Sequence, residues 1–207
     1  MSKKIFINIF LIFFSINVDS KYDIEVNFES NLSLNSQKQL LKKLESLKSK
    51  TEIEEILHLQ DWIKYFSIQF KPFSNQIYIK VESRKPIFIL NGKHFYDKNL
   101  KKFNFDSSED KFIKVTGPIS NPKDVLEIID LVKYSENVLD EIDSIEYSHI
   151  NGWDIFSGTT QLRFGKEIST KKIDNFQNTI NYLYDKTNIP SIIDMRYKDG
   201  VALSYAK

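Results

Sequence analysis

From Tyr22 to Phe28 the chain reads Tyr-Asp-Ile-Glu-Val-Asn-Phe, strict alternation that predicts a strand with one buried face. Asn31 to Asn35 supplies turn and capping residues. Leu40, Leu41, Leu44 and Leu47 then recur at helical spacing, and Ile53, Ile56, Leu57 and Leu59 repeat that period over a shorter stretch. Alternation returns through Trp62, Lys64, Phe66, Ile68 and Phe70. A turn over Pro72 to Gln76 leads into a further strand over Ile77 to Glu82. The predicted order over residues 21–85 is β-α-α-β-β.

Beyond Pro86 the pattern changes to short strands. Pro86 to Leu90 and His94 to Tyr96 flank Asn91-Gly92, the strongest hairpin signal in the chain. Ile113 to Thr116 ends at Gly117-Pro118, and Asn121-Pro122 presents a cap followed by proline at the first helical position. The helix after it buries Val125, Ile128, Ile129 and Val132. Strands follow at Ser144 to His149, Trp153 to Phe156 and Gln161 to Phe164, with Asn151-Gly152 and Ser157-Gly158 as turns. Ser169 or Thr170 caps a helix whose apolar face is Ile173, Phe176, Ile180 and Leu183. Ser191 to Tyr197 and Val201 to Tyr205 form a closing hairpin about Asp199-Gly200. The fold class expected is α+β, with a β-α-α-β-β unit over 21–85 and a mostly antiparallel β domain with two helices over 86–207.

Residues 1–20 are of a different kind. Lys3 and Lys4 precede an uncharged run from Ile5 to Val18, rich in Phe6, Phe10, Leu11, Phe13 and Phe14, and Asp19 follows at once. This is an export signal or a membrane anchor. Fourteen helical residues rise about 21 Å against roughly 30 Å of hydrocarbon, so length alone does not separate the two. No small-x-small cleavage site follows, and Lys3, Lys4 and Lys21 have stems long enough to snorkel, which favours an uncleaved anchor. Either way the basic leader places the N-terminus in the cytoplasm and the bulk of the chain across the membrane.

Composition narrows the function. Lys and Arg number 29 against 28 Asp and Glu, a net charge of +1, so no long-range field draws in nucleic acid or a charged small-molecule substrate. The basic stretches Lys42-Lys43 to Lys50 and Lys101-Lys102 read as solvated surface, the second in a loop. With no cysteine, thiol catalysis, thiolate metal sites and disulfides are all excluded. His58, His94 and His149 fall in three separate elements with no second ligand at metal spacing, and no catalytic motif or phosphate-cradling loop is present. The clusters Glu52-Glu54-Glu55, Glu109-Asp110 and Asp140-Glu141-Asp143 belong to solvated faces and loops. A non-enzymatic protein without metal or cofactor is therefore expected. An exported glycan hydrolase is the alternative that would need two carboxylates converging in a cleft.

Three stretches together resemble the FtsQ/DivIB family of cell division proteins. Trp62-Ile63-Lys64-Tyr65-Phe66 followed by Ile77-Tyr78-Ile79-Lys80-Val81-Glu82-Ser83-Arg84-Lys85-Pro86 is similar to the family's Trp-Val/Ile pair and its strand ending in Glu, basic residues and Pro. Gly152-Trp153 through Gln161-Leu162-Arg163-Phe164-Gly165-Lys166 is similar to its Trp strand and Leu-Gly-Arg turn. Ile193-Asp194-Met195-Arg196-Tyr197-Lys198-Asp199-Gly200-Val201-Ala202 resembles its Val-Asp-Leu-Arg-Tyr-x-x-Gly-x-Ala ending. The chain departs from the family at Lys71-Pro72-Phe73, where Trp-Pro is usual, and at Lys166, where Arg is usual.

The resemblance implies a single-pass inner-membrane protein at the division septum, with a POTRA domain over 21–85. Its implied partners are FtsB-like and FtsL-like proteins and other divisome components, through which it helps control septal peptidoglycan synthesis. By the same resemblance Tyr197, Asp199, Gly200 and the strand Val201, Ala202, Leu203, Ser204 and Tyr205 match the FtsB-binding edge, and Lys166 matches a basic residue that pairs with a partner carboxylate. The residues themselves suggest how: a last strand at a sheet edge leaves backbone groups on which a partner strand can add. The rival reading is a POTRA-containing accessory of outer-membrane protein assembly or secretion.

Overall fold

Strand β1 (Asp23–Phe28), helices α1 (Asn35–Leu44) and α2 (Lys50–His58), and strands β2 (Ile63–Phe70) and β3 (Gln76–Ser83) form the first unit of this computed structural model. The residues described are 22–29, 35–47, 49–105, 112–135, 137–186, 188–198 and 200–205. The apolar run at residues 5–18 lies outside them, and among the described residues no helix is long and apolar enough to cross a membrane. β3 is the middle strand, parallel to β1 and antiparallel to β2. Its alternation is the clearest in the unit: Ile77, Ile79 and Val81 are buried under Leu40, Leu44, Ile53 and Leu57 of the helices, while Tyr78 and Lys80 face solvent.

Two local features depart from the simple pattern. Ser49 accepts from the Glu52 N–H while the Glu52 carboxylate accepts from the Ser49 N–H, a capping box that starts α2. In β2 the expected in-phase set from Trp62 to Phe70 is broken by a bulge. Ile63 opposes Ser83 and Tyr65 opposes Glu82, so Lys64 is the extra residue, exposed and paired with Glu82. The bulge lets both Trp62 and Ile63 point inward.

The second sheet has nine strands among the described residues. They are β4 (Phe88–Leu90), β5 (His94–Tyr96), β6 (Lys102–Phe103), β7 (Ile113–Thr116), β8 (Ile142–Ser148), β9 (Gly152–Ser157), β10 (Thr160–Gly165), β11 (Ile192–Asp194) and β12 (Ala202–Ser204). Their order is β12-β11-β10-β9-β8-β7-β4-β5-β6. Most neighbours are antiparallel, but β4–β7, β7–β8 and β10–β11 are parallel. Helices α3 (Pro122–Lys133) and α4 (Thr170–Leu183) pack into one core with this sheet. Asn121 caps α3 by accepting from the Lys123 N–H, with Pro122 behind it as the sequence indicates. Lys102, expected in a loop, belongs to the two-residue strand β6, too short for any periodic signal.

A single row of directly opposed apolar residues crosses seven strands under the helices: Leu90, Val115, Ile145, Ile155, Leu162, Ile193 and Leu203. The adjacent row faces the other way and is polar through Thr116, Glu146, Asp154, Arg163 and Asp194, ending at the small Ala202. Because strand side chains alternate between faces, a slip of one residue in any of these strands would turn its apolar member to the polar face, which fixes the register across the seven.

The two units are joined by more than the chain. Phe95, Phe103 and Phe105, all beyond Pro86, pack into the first core. Arg84 pairs with Asp97 at 2.7 Å, both side chains largely buried, and the Asn104 backbone and side-chain N–H groups donate to Asp61 at 3.0 and 2.9 Å. Burial alone would raise the Asp97 carboxyl, but the Lys101 N–H, the Arg84 guanidinium and the Asn99 N–H outweigh it and hold it below the usual carboxylate range. Trp62 reports the first core and Trp153 the second. In urea the two single-tryptophan variants are expected to unfold at one midpoint. Arg84→Ala should lower stability by about 2 kcal/mol by stripping the buried carboxylate of its charged partner, and should separate the two transitions. Coincident transitions in that variant would show that the ion pair does not couple the units.

Candidate partner interface

β12 stands last in the strand order, with β11 as its one neighbour among the described residues. The direction of its backbone groups follows from β11. The Gln161 N–H donates to the Ser191 carbonyl and the Met195 N–H donates to the Arg163 carbonyl, each at 2.9 Å, so residues 191, 193 and 195 turn their polar groups toward β10. By alternation Ile192 and Asp194 turn theirs toward β12, where they oppose Ser204 and Ala202. The N–H and C=O of Leu203 therefore point out of the sheet.

The side chains of this edge divide by face. Leu203 is half-buried, ends the apolar row and packs with Val201 against the core. Ala202 and Ser204 are exposed on the opposite face, and the Ser191 hydroxyl donates to the Ser204 carbonyl at 3.1 Å, holding the pair of strands together. Beside Leu203 a groove of about 300 Å³ opens toward α4, lined by Asn175, Asn178, Thr179, Tyr182, Gly200 and Val201. Tyr197 (58% exposed) and Tyr205 (42% exposed) present large rings to solvent near the two ends of the strand. Lys166 is exposed just past β10, two strands in from the edge, and Asp199 lies outside the described residues.

The paired segments of the closing hairpin are shorter than the Ser191 to Tyr197 and Val201 to Tyr205 the sequence suggests. β11 and β12 pair over three residues each, and the chain between them runs from Met195 to Val201. Its first step is held by Arg196, whose N–H donates to Asp194 Oδ1 at 3.0 Å and whose guanidinium grips the same carboxylate through Nε at 2.9 and 3.1 Å and Nη2 at 2.6 Å. Asp194 in turn opposes Arg163, which donates to Asp154 on β9 at 3.2 Å. The sequence reading missed this charged row of Asp154, Arg163 and Asp194. Its trace was present, since each residue is the one charge inside an apolar triplet: Trp-Asp-Ile, Leu-Arg-Phe and Ile-Asp-Met.

Close backbone packing supports the same corner. A Cβ at Gly152 would lie 1.9 Å from the Gly165 carbonyl carbon, so glycine is required where β9 starts against the end of β10. Lys172 donates to the Phe164 and Glu167 carbonyls at 2.7 and 2.9 Å, tying α4 to that end of the sheet.

A second concavity of about 1000 Å³ lies between α3 and strands β4, β5, β7 and β8, with Asp140, Glu141 and Asp143 among its lining. Two of these carboxylate residues are engaged in holding the β9–β10 turn. Asp143 accepts from the Gly158 N–H at 2.9 Å, and the Asp140 carbonyl accepts from the Ser157 hydroxyl. A Cβ on Gly158 would sit 1.9 Å from the Asp140 carboxylate. The histidines are dispersed: His58 stacks edge-on against Phe66, His149 against Tyr147, and His94 lies on β5. No group of three potential metal ligands occurs among the described residues.

What the described parts define is an α+β protein of two helix-covered sheets, with an open strand edge as its most developed surface feature. No family model matches the chain, and no curated protein matches it.

Burial alone would raise the Asp194 carboxyl, but the hydrogen bonds from the Arg196 side chain and N–H, with the charges of Arg196 and Arg163, hold it below the usual range. A depressed folded value means the ionised carboxylate adds stability above its unfolded pKa, about 3.9, and that this contribution is lost as pH falls further through the folded value. Urea midpoints should therefore drop below about pH 4 in the parent. Asp194→Asn should start lower and lose less over that interval. An unchanged acid slope in the variant would remove Asp194 from the account.

Proposed function

We propose that the chain is a non-enzymatic scaffold of the bacterial division machinery, of FtsQ/DivIB type. In this reading residues 5–18 anchor it in the inner membrane, and residues 21–85 are a POTRA-like unit in the periplasm. Residues 86–207 carry the site for FtsB-like and FtsL-like partners, through which septal peptidoglycan synthesis is recruited and regulated. The observation that carries the reading is the outward-facing backbone of Leu203 on the terminal strand β12, within the stretch that resembles the family's ending. The β-α-α-β-β order of the first unit, the order of a POTRA domain, adds support from the other end of the chain.

The chemistry is strand addition. A partner strand would satisfy the Leu203 N–H and C=O, which gives affinity, while its side chains set the register. The residue opposite Leu203 would lie over the groove beside α4 and lengthen the apolar row, so an aliphatic or aromatic side chain fits there. Its neighbour opposite Ala202 would fall on the polar face, next to Asp194 and the partly exposed Arg196, where a carboxylate finds a guanidinium already oriented. In this reading Lys166 and Tyr197 would extend the contact at the same end.

Co-purification with an FtsB/FtsL-like pair tests this directly. Leu203→Pro removes the one outward N–H and should reduce recovery at least about tenfold, because proline at an edge blocks pairing on the open side while sparing the bonds to β11. Leu203→Ala keeps that N–H and trims only a half-buried side chain, so recovery should fall by no more than about threefold. Near-ultraviolet spectra from Trp62 and Trp153 verify that both variants remain folded. Full recovery of the folded proline variant would reject β12 as the site.

A further inference from the structure

We infer that the β2–β3 hairpin tip is a lipid contact, with Phe73 inserting into the interface of the same bilayer that holds the N-terminal run. The inference rests on the reading of residues 5–18 as an anchor. Phe73 is fully exposed, at 108% of its reference area, and occupies the left-handed region at φ 59°, a conformation that bulky side chains rarely adopt. A small polar residue would suit both the turn and an aqueous surface better. The tip is well defined: the Lys71 N–H donates to the Gln76 carbonyl at 3.1 Å, Lys71 Nζ donates to Gln76 Oε1 at 3.0 Å, and the Gln76 N–H donates to Ser74 Oγ at 3.2 Å. The ring is thus held outward on a built support.

The topology says which surface this ring meets. β1 runs parallel to β3 with Asp23 opposite Gln76, and the Asp23 N–H donates to the Asn75 carbonyl at 2.9 Å. The point where the chain arrives from residues 1–21 is therefore beside the hairpin tip, not at the far end of the sheet. Only Asp19, Ser20 and Lys21 separate Val18 from Tyr22. Even fully extended, four residue steps reach about 14 Å, so a run ending in the bilayer keeps Tyr22, on the strand beside the tip, within that distance of it. Lys50, whose ammonium lies 4.0 Å over the Phe70 ring, and Lys71 bring positive charge to the same end, suited to anionic headgroups. One phenylalanine would not hold a free protein on a membrane. On a tethered domain the second contact is intramolecular, and a weak insertion is enough to set orientation.

β3 leads away from the tip, and its other end continues through Arg84 into the second sheet. Eight residues at about 3.3 Å each span roughly 26 Å. With the tip seated, the first sheet stands as a spacer and the second sheet is held off the membrane.

The absence of cysteine permits a clean test on the full chain. Asn75→Cys beside the tip and Lys85→Cys beyond the far end each take one environment-sensitive fluorophore, in nanodiscs of phosphatidylethanolamine and phosphatidylglycerol that hold no other membrane protein. The label at position 75 should be quenched by lipid carrying a spin label near the headgroup and be at least about fivefold less accessible to iodide than the label at position 85. Adding Phe73→Asp should return it to the aqueous value. Equal accessibility at the two positions in disc-bound protein, or protection that survives Phe73→Asp, overturns the tip contact while leaving the anchor intact. Failure of the full chain to co-elute with discs overturns the anchor reading, and the tip contact falls with it.

Discussion

The apolar row from Leu90 to Leu203 is the constraint on which the second unit depends. Val115, Ile145, Ile155, Leu162 and Ile193 are buried in one core with α3 and α4, Leu90 and Leu203 pack against it at the two ends, and each lies directly opposite the next, so the strands cannot shift independently. Leu203 is where the row ends, and it ends half-exposed, with the core continuing on one side and none of the described residues opposite it on the other. The same alternation that buries Leu203's side chain turns its backbone groups outward. Register and open edge are thus one feature, and a partner strand would extend a row that six other strands have already aligned.

Asp194 makes that edge definite. A three-residue pair such as β11–β12 is short, and a seven-residue connection could close in many ways. The bidentate grip of Arg196, backed by Arg163 and Asp154 on the next two strands, fixes how the chain leaves β11. The pair is partly buried, and a planar guanidinium against a carboxylate restricts angle as well as distance, which a lysine would not do. The hairpin's order therefore comes from a charged network on one face and from Leu203 with Val201 on the other.

Much of this was legible in the sequence, and what was missed has physical causes. The helix faces through Val125 to Val132 and Phe176 to Leu183, the Asn121-Pro122 start and the Asn91-Gly92 hairpin were all readable because each depends on neighbours within a few residues. Lys64 defeated the reading of β2, since a bulge adds one residue without altering composition and shifts the phase of everything before it. β6 carried too few residues for a period. The packing of Phe95, Phe103 and Phe105 into the first core is a long-range choice that no local pattern encodes. At the edge, strand order was the decisive fact, and sequence could suggest only that a last strand exists. The row Asp154, Arg163 and Asp194 was visible as isolated charges in apolar triplets, but its meaning required the register that brings them together.

The two units answer the same question differently, namely what to do with a strand that has one open side. In the first, β2 carries exposed Lys64, Tyr65 and Gln69 along its length and twists at the Lys64 bulge, devices that discourage a second chain from pairing there. In the second, β12 carries no charge, no bulge and no proline, and the small Ala202 and Ser204 leave its outer face clear. An unprotected edge is an aggregation hazard unless something occupies it or its length is kept small. Three residues is close to the minimum for specific pairing, which makes β12 safe when alone and dependent on flanking side chains for affinity. Partner binding on such an edge would owe its strength to the groove beside α4, the exposed Tyr197 and Tyr205 and the fixed guanidinium of Arg196, with the backbone supplying direction and register.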